Sequence, residues 1–360
     1  MNAMSVGRDR RSGNVGVRRH RLGRHDFWDN HMSEMAATIE RKLDELRSDY
    51  EAVTGSTFSH FYCPILFQDD ATKLCKAHIV NQAFAESSRA WTVQRTDIDG
   101  FYGSMFEADF VTIQDWNHTP DEIIADPSLS QRLRPEILLG GDVVQHFVAC
   151  GPVPNHFTEA LASGGVRLGL KIRPDDAAAA MSKGCEMKLG KDARLPALAS
   201  LLKAAHLTLF DLLGYRYALS TGGRYLGRTI LGEFFLQNEG LSKAEVIENA
   251  VSHFSQYANM VRPLNDAPIK VLGTASDGLF LACFCEPQTL WAYVVFIRTS
   301  DRLHGVLVPI LEEPSAVVRF MDFLKVGGGP IRANCCRLVG DKFTLKEQPD
   351  ILEWPESEFL

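Results

Sequence analysis

Residues 195–213, LPALASLLKAAHLTLFDLL, decide the fold of this chain. Apolar side chains almost encircle a helix built from this segment, so we predict a central helix that is buried on all sides. Pro196 suits the first turn of such a helix, and Gly214 suits its end. His206 lies among the apolar positions, and we expect a buried histidine whose hydrogen bonds are satisfied inside the core.

The segments that follow predict two more helices and then a sheet. One helix is predicted over residues 225–236, and another begins at SKAE, residues 242–245, which has the spacing of a capping box. From residue 269 to residue 311, three β-rich apolar runs are separated by short polar turns, with Asp277-Gly278 as the clearest hairpin signal. We therefore expect an antiparallel meander packed against the helices, closed by a short helix over residues 315–324.

The chain before the core helix predicts a charged helix, a hairpin and a further helix. Residues 33–50 form the charged helix, with the serine at their start as N-cap. The β-rich runs 58–67 and 74–80 are separated by the polar turn QDDAT, which predicts that they pair as a hairpin. Residues 91–98 are a further extended stretch, and residues 100–116 return to helical spacing.

The middle of the chain is less regular because proline and glycine interrupt it several times. Strands are predicted there only around residues 166–172 and 186–189. The whole pattern predicts an α+β protein with an N-terminal module of two strands and a helix, a helical middle and a C-terminal antiparallel β meander. The expected divisions are a disordered Arg-rich leader (1–31), the N-terminal module (32–116), an irregular α/β connection (117–194), a helical core (195–262), a β unit with its closing helix (263–324) and an irregular tail (325–360).

Composition limits the partners and the location of the protein. The formal net charge is −7, from 38 basic and 45 acidic residues, so the chain as a whole does not attract nucleic acid and any such contact needs a local basic patch. Eight cysteines without an apolar export signal predict free thiols and a cytoplasmic location. No run of eighteen apolar residues occurs, so we predict no membrane span, and the oligomeric state is left open.

Residues 57–110 contain several short motifs. These motifs are Cys63-Pro64, His78-Ile79-Val80, Asp99 at the start of a predicted helix, Gly103-Ser104 and Glu107. The stretch resembles the HNH, or ββα-metal, endonuclease family, in a degenerate variant without zinc. The resemblance implies a ββα-metal-like N-terminal module that hydrolyses phosphodiester bonds of DNA or RNA with the help of a metal ion.

Phosphodiester hydrolysis needs an activated water and a divalent cation at the scissile phosphate. The resemblance implies that His78 is the general base and that Asp99 holds Mg²⁺ or another divalent cation, with Asp97 and Asn81 as further candidate ligands. The chain departs from the family at Ala77, where many members carry an acidic ligand. An HNH-shaped binding or interaction protein without catalytic activity is therefore the alternative.

Two other interpretations of His78 stay open at this point. His60 and Cys63, then Cys75 and His78, form two pairs with zinc-ligand spacing and predict a structural Zn²⁺ site if each pair lies in a turn. Residues three apart on a strand point to opposite faces, which argues against that site. In the third interpretation, His78 is a hydrogen-bonded core residue with no chemical role.

Residues 215–228 carry a second pattern that concerns nucleic acid. Three arginines alternate there with tyrosines, and such a surface is able to contact a nucleic-acid backbone. The other interpretation is that the arginines are solvated and the tyrosines anchor the core. The sequence GGRYLG in the same region has only a superficial likeness to a phosphate-binding loop, since no Lys-Ser or Lys-Thr pair follows it.

Overall fold

Helices and antiparallel sheets make up the computed structural model, which confirms the predicted α+β class. The structure describes residues 24–84, 87, 89–113, 120–126, 129, 135–139, 142–144, 158–162, 165–169, 186–189, 194–264, 279–286, 289–300, 302–339, 342–345 and 350–355. The predicted Asp277-Gly278 turn lies outside the described residues, as does the leader before residue 24.

The N-terminal part contains one long helix, two short strands and an interrupted helix. Its elements are α1 (Arg24–Thr54), β1 (Leu74–His78), β2 (Trp91–Arg95), α2 (Thr96–Tyr102), a π-helical segment (Gly103–Glu107) and α3 (Ala108–Ile113). The last three run on directly from one another and occupy most of the predicted helix at 100–116.

Short elements follow before the core helix. They are α4 (Pro120–Ala125), β3 (Pro135–Leu139), β4 (Asp142–Val144), β5 (Thr158–Ala162), β6 (Gly165–Gly169) and β7 (Glu186–Leu189). β3 pairs with β4 and β7, and β5 pairs with β6. The predicted strand at 186–189 is confirmed, and the one predicted at 166–172 overlaps β6.

The C-terminal half contains the helical core and a seven-stranded sheet. The helical elements are α5 (Arg194–Ala218), α6 (Thr221–Arg224), a π-helical segment (Tyr225–Gly232), α7 (Glu233–Asn238), α8 (Lys243–Phe254) and a 3-10 helix (Ser255–Met260). The sheet and its packing helix comprise β8 (Val261–Leu264), β9 (Leu279–Glu286), β10 (Thr289–Thr299), β11 (Arg302–Pro309), α9 (Pro314–Val326), β12 (Gly329–Val339), β13 (Lys342–Leu345) and β14 (Asp350–Trp354).

Helix α5 is the central core helix that the sequence predicts. Every residue from Pro196 to Phe210 is buried, and α5 packs against α1, β10 and β11. Gly214 interrupts the helix with φ 59°, a value that glycine adopts at little cost. A side chain at this position would collide with the carboxylate of Asp49, which accepts a hydrogen bond from the backbone N–H of Tyr215 at 2.6 Å.

Length and composition alone would allow α5 to cross a membrane, with a mean hydropathy of 1.3 over its most apolar window. Yet 78% of that window is buried inside the protein, as is usual for a core helix. The absence of a membrane span and the cytoplasmic location stay predictions.

The capping box at the start of α8 is confirmed. The Ser242 hydroxyl accepts from the backbone N–H of Glu245, and the Glu245 carboxylate accepts from the backbone N–H of Ser242. The GGRYLG sequence is helical, with Gly227 packed against the carbonyl oxygen of Pro64 and the ring of His206. Close packing therefore accounts for this glycine, because a Cβ would not fit.

Three expectations about element boundaries are wrong. Helix α1 runs from Arg24 through Ser33, so the leader does not end at residue 31 and Ser33 is not an N-cap. No glycine or proline lies between these two positions to stop the helix. Residues 325–360 are not an irregular tail, because β12 pairs with β9, β13 and β14.

The predicted hairpin between 58–67 and 74–80 is also wrong. Strand β1 pairs with β2, in a register that runs from Leu74 opposite Arg95 to His78 opposite Trp91. The earlier run forms a tight turn in which the N–H of Phe67 donates to the carbonyl oxygen of Cys63, and Tyr62 makes only an isolated bridge. Several apolar residues of this turn are buried in the core. Their apolar, β-rich composition is also that of a strand, which explains the wrong prediction.

His206 has the satisfied core position that the sequence predicts. Its Nδ1 lies 3.0 Å from the Tyr217 hydroxyl, and its Nε2 lies 3.0 Å from the carbonyl oxygen of Pro64. Burial lowers the pKa of His206 from 6.5 to about 4. The side chain is therefore neutral at neutral pH and must take up a proton when the chain unfolds in mild acid.

This shift predicts a pH-dependent stability with a definite sign. Because the folded-state pKa is the lower one, the stabilisation is present above pH 6.5 and is lost as the pH falls toward 4. The free energy of unfolding should fall by about 2 kcal/mol between pH 7 and pH 5 because of this residue alone. Urea unfolding at both pH values should show a smaller drop for His206→Gln than for the wild type, and equal drops would contradict this account.

Candidate functional site

The four residues that the sequence singled out lie on or near the β1–β2 hairpin and the first turn of α2. His78 is the last residue of β1, and Asn81 follows in the connection to β2. Asp97 and Asp99 lie in the first turn of α2, which begins directly after β2. The chain order of two strands and a helix is therefore present, although the strands are not the predicted pair.

Strand alternation puts His78 on the face of the hairpin opposite to Cys75, whose thiol contacts Asp99. Strand register places Cys75 opposite Gln94 and His78 opposite Trp91. Because side chains alternate along a strand, Cys75 and His78 point to opposite faces. The Cys75 thiol donates to Asp99 Oδ2 at 3.8 Å, so Asp99 belongs to the face that His78 does not share. The structure does not place the imidazole and the carboxylate around one cation.

The surroundings of His78 favour its neutral form. Burial lowers the pKa of this histidine, Lys76 lowers it further, and the charge of Asp99 raises it. The net shift is downward from 6.5. A neutral imidazole is able to accept a proton.

A lysine from the core helix holds the Asp99 carboxylate. Lys203 Nζ donates to Asp99 Oδ1 at 2.9 Å and to Glu107 Oε1 at 2.7 Å. The Lys203 side chain is only 1% exposed, whereas that of Asp99 is 33% exposed. The ammonium group thus lies between two carboxylates and binds both of them.

The ion pairs keep Lys203 charged inside the protein. Burial on its own lowers the pKa of this lysine, but Glu107 and Asp99 together raise it by more, and the net shift is upward. The Lys203 ammonium also lies 5.9 Å from the centre of the Tyr102 ring. Sequence reasoning missed this residue, although a lysine in the middle of a fully apolar helix is a signal that a carboxylate must meet it in the core.

The remaining candidate metal ligands also have partners. The Asp97 carboxylate binds the Arg95 guanidinium at 2.7 and 3.2 Å and accepts from the backbone N–H of Ile98 at 2.8 Å. Burial alone would raise the pKa of Asp97, but its hydrogen bonds with Arg95 and Ile98 lower it overall. The side-chain oxygen of Asn81 accepts from the backbone N–H of Ala83 at 3.0 Å. Both side chains are therefore used in local structure.

These contacts decide whether the residues fit a divalent cation. Across the residues that the structure describes, no group of three or more His, Cys, Asp or Glu side chains is arranged to hold a metal ion. Asp99 already binds the Lys203 ammonium, and His78 belongs to the strand face opposite to Cys75. The predicted set of His78, Asp99, Asp97 and Asn81 does not fit a Mg²⁺ site in this arrangement.

The four candidate zinc ligands do not converge either. Cys63 is fully buried, and its sulfur accepts from the backbone N–H of Leu66 at 3.4 Å. Burial raises the pKa of both Cys63 and Cys75 to about 11. His60 is exposed, and its backbone N–H donates to Asp69. A structural zinc ion at these residues is not supported.

A groove lies beside the hairpin, on the side of α1 and α5. It is open to solvent, has a volume of about 400 Å³ and is lined by Arg41, Lys42 and Glu45 of α1, by Arg89 and Ala90 before β2, by Trp91 of β2 and by Asp211 of α5. Trp91 is half-buried. Sequence reasoning missed this groove because α1, β2 and α5 are far apart in the chain.

Charges in the groove are only partly compensated. Lys42 forms an ion pair with Asp211 at 2.9 Å and a longer one with Glu45 at 3.9 Å. Arg41 and Arg89 are exposed and make no ion pair with a residue that the structure describes. On the hairpin, Lys76 Nζ lies 4.8 Å from the centre of the Trp91 ring. The groove therefore combines an aromatic ring with two guanidinium groups that form no ion pair within the described part of the chain.

The second basic-aromatic pattern has a structural explanation. Tyr215 and Tyr217 are buried in the core, and the Tyr217 hydroxyl lies at hydrogen-bond distance from His206. Arg216 and Arg228 are exposed on the surface. These residues have the arrangement of solvated arginines beside core-anchoring tyrosines.

Comparisons with known proteins add no assignment. No family model, no curated protein sequence and no solved structure matches this chain. The interpretation of the site therefore rests on its geometry.

Proposed function

We propose that this protein binds nucleic acid without cleaving it, and that its hairpin and helix form an HNH-shaped module without a catalytic metal. The main support for the absence of cleavage is the position of the Lys203 ammonium between Asp99 and Glu107. A metal-dependent nuclease needs a carboxylate that is free to bind the ion, and here that carboxylate binds an internal cation.

Displacing Lys203 with a metal ion would be costly. The ammonium would lose two charge-assisted hydrogen bonds while its side chain remained buried in the core. In addition, the residue before His78 is Ala77, which supplies no acidic metal ligand. Metal-dependent cleavage with His78 as general base stays a prediction that the experiment below tests against binding alone.

The groove supports the binding part of the proposal. Phosphate oxygens are contacted by exposed arginines, and bases stack on aromatic rings. Arg41, Arg89 and Trp91 offer both kinds of contact on one surface. The net charge of −7 repels nucleic acid elsewhere, so binding through such a local patch should be weak and sensitive to salt.

A mobility-shift experiment tests the proposal. The purified protein should retard a labelled DNA or RNA oligonucleotide at low salt, and a denaturing gel should show the recovered strand intact after incubation with Mg²⁺ or Mn²⁺. His78→Ala should retard it equally, because His78 has no catalytic part in this account. Absence of any retardation would refute binding, and cleavage that His78→Ala abolishes would restore the nuclease hypothesis.

A further inference from the structure

We infer that the groove between α1 and β2 takes single-stranded rather than double-stranded nucleic acid, with a base against Trp91 and phosphates at Arg41 and Arg89. This inference rests on the proposed function and specifies its ligand. It assigns to binding three residues that the sequence motifs did not single out.

The position of Trp91 supports the stacking of a base on its ring. Trp91 is the first residue of β2 and lies opposite His78, the last residue of β1, so it stands at the end of the hairpin rather than in its middle. It lines the groove, and the Lys76 ammonium lies 4.8 Å from its ring centre. A half-buried ring that is held by its own strand loses little entropy when a base stacks on it.

The charges of Arg41 and Arg89 support contacts with phosphate groups. Arg41 comes from α1 and Arg89 from the residues just before β2, so the two guanidinium groups line the groove from different elements. Neither forms an ion pair with a residue that the structure describes, whereas Lys42 in the same groove is already paired with Asp211. Among the described residues that line the groove, the two arginines are therefore the cations without an ion-pair partner, and they are suited to contact phosphate oxygens.

The size of the groove distinguishes a single strand from a duplex. A volume of about 400 Å³ is in the range of small-molecule sites and accommodates one flat group with its attached phosphate. A duplex keeps its bases stacked inside and presents only backbone and groove edges, so it has no free base face for Trp91. A single strand has unstacked bases that are able to enter the groove.

Titration of a labelled single strand of about 16 nucleotides tests the inference, since groove-type sites cover up to that length. Trp91→Leu should weaken binding about tenfold through lost stacking and should leave the salt dependence unchanged. Arg41→Gln with Arg89→Gln should lower the slope of log affinity against log salt by about 1.4, which is about 0.7 for each phosphate contact.

Matched variants make the outcome decisive. Arg216→Gln with Arg228→Gln removes the same charge from another exposed surface and should change the slope by much less. Trp91→Phe keeps an aromatic face and should restore most of the affinity, which separates lost stacking from misfolding. A protein that binds no nucleic acid fails the proposed function itself. Equal affinity for a duplex, or equal effects of the two arginine pairs, would refute the inference and leave the proposed function standing.

Discussion

Replacing Lys203 by methionine should lower the free energy of unfolding by about 3–5 kcal/mol, the usual cost of removing one partner from a buried ion pair. The methionine fills a similar space, but Asp99 and Glu107 lose their shared cation. The Glu107 side chain is only 14% exposed, so water replaces the lost ammonium poorly. Chemical denaturation at neutral pH, followed by circular dichroism, measures the change.

Lys42 provides the matched control for this prediction. It also pairs with an aspartate, Asp211, at 2.9 Å, but both side chains are more than 20% exposed. Lys42→Met should therefore cost less than about 1 kcal/mol. A change of similar size in both variants would show that burial of the Lys203 cluster does not have the energetic importance assigned to it here.

Replacing Arg262 by methionine should be similarly damaging, with an expected loss of about 4 kcal/mol or more. Arg262 is 2% exposed, and its guanidinium makes no ion pair with a carboxylate in the part of the chain that the structure describes. It donates instead to the oxygens of Pro355, Ala258, Val261, Asn259 and Gly327, at 2.6–2.9 Å. Burial lowers the pKa of Arg262 to about 10, so the group is still charged at neutral pH.

This arginine joins parts of the chain that the sequence keeps far apart. Its acceptors belong to the 3-10 helix before β8, to the end of α9 and to the residue after β14. Thermal unfolding should rank the wild type above Arg262→Lys, which keeps the charge but has fewer donors, and Arg262→Lys above Arg262→Met. The exposed Arg216→Met should stay within about 0.5 kcal/mol of the wild type. A mild effect of Arg262→Met would mean that the carbonyl oxygens find other donors.

Local sequence was sufficient to predict α5 and the start of α8. A helix whose apolar residues nearly encircle it is expected to be buried in a folded protein, and a capping box fixes a helix start within four residues. His206 was predictable for the same reason. These features depend on neighbours along the chain.

Features that depend on distant partners were predicted less well. Lys203 is separated by 104 residues from Asp99 and by 96 from Glu107, so no local pattern shows which carboxylates meet it. Strand β1 had two candidate partners, and the choice of β2 over the earlier β-rich run follows from how that run packs in the core. Strand β12 pairs with β9 across the intervening β10, β11 and α9. Such pairings are set by tertiary packing rather than by strand propensity.

The proposed absence of cleavage depends on the Lys203 ammonium, which binds the Asp99 carboxylate that a metal-dependent nuclease would need for its ion. The most direct test is the cleavage half of the mobility-shift experiment, carried out on plasmid DNA with Mn²⁺ for the wild type and for Asp99→Asn. The account predicts that both proteins leave the plasmid supercoiled. Nicking by the wild type that requires Mn²⁺ and disappears in Asp99→Asn would contradict it, because Asp99 would then be serving the metal rather than the lysine.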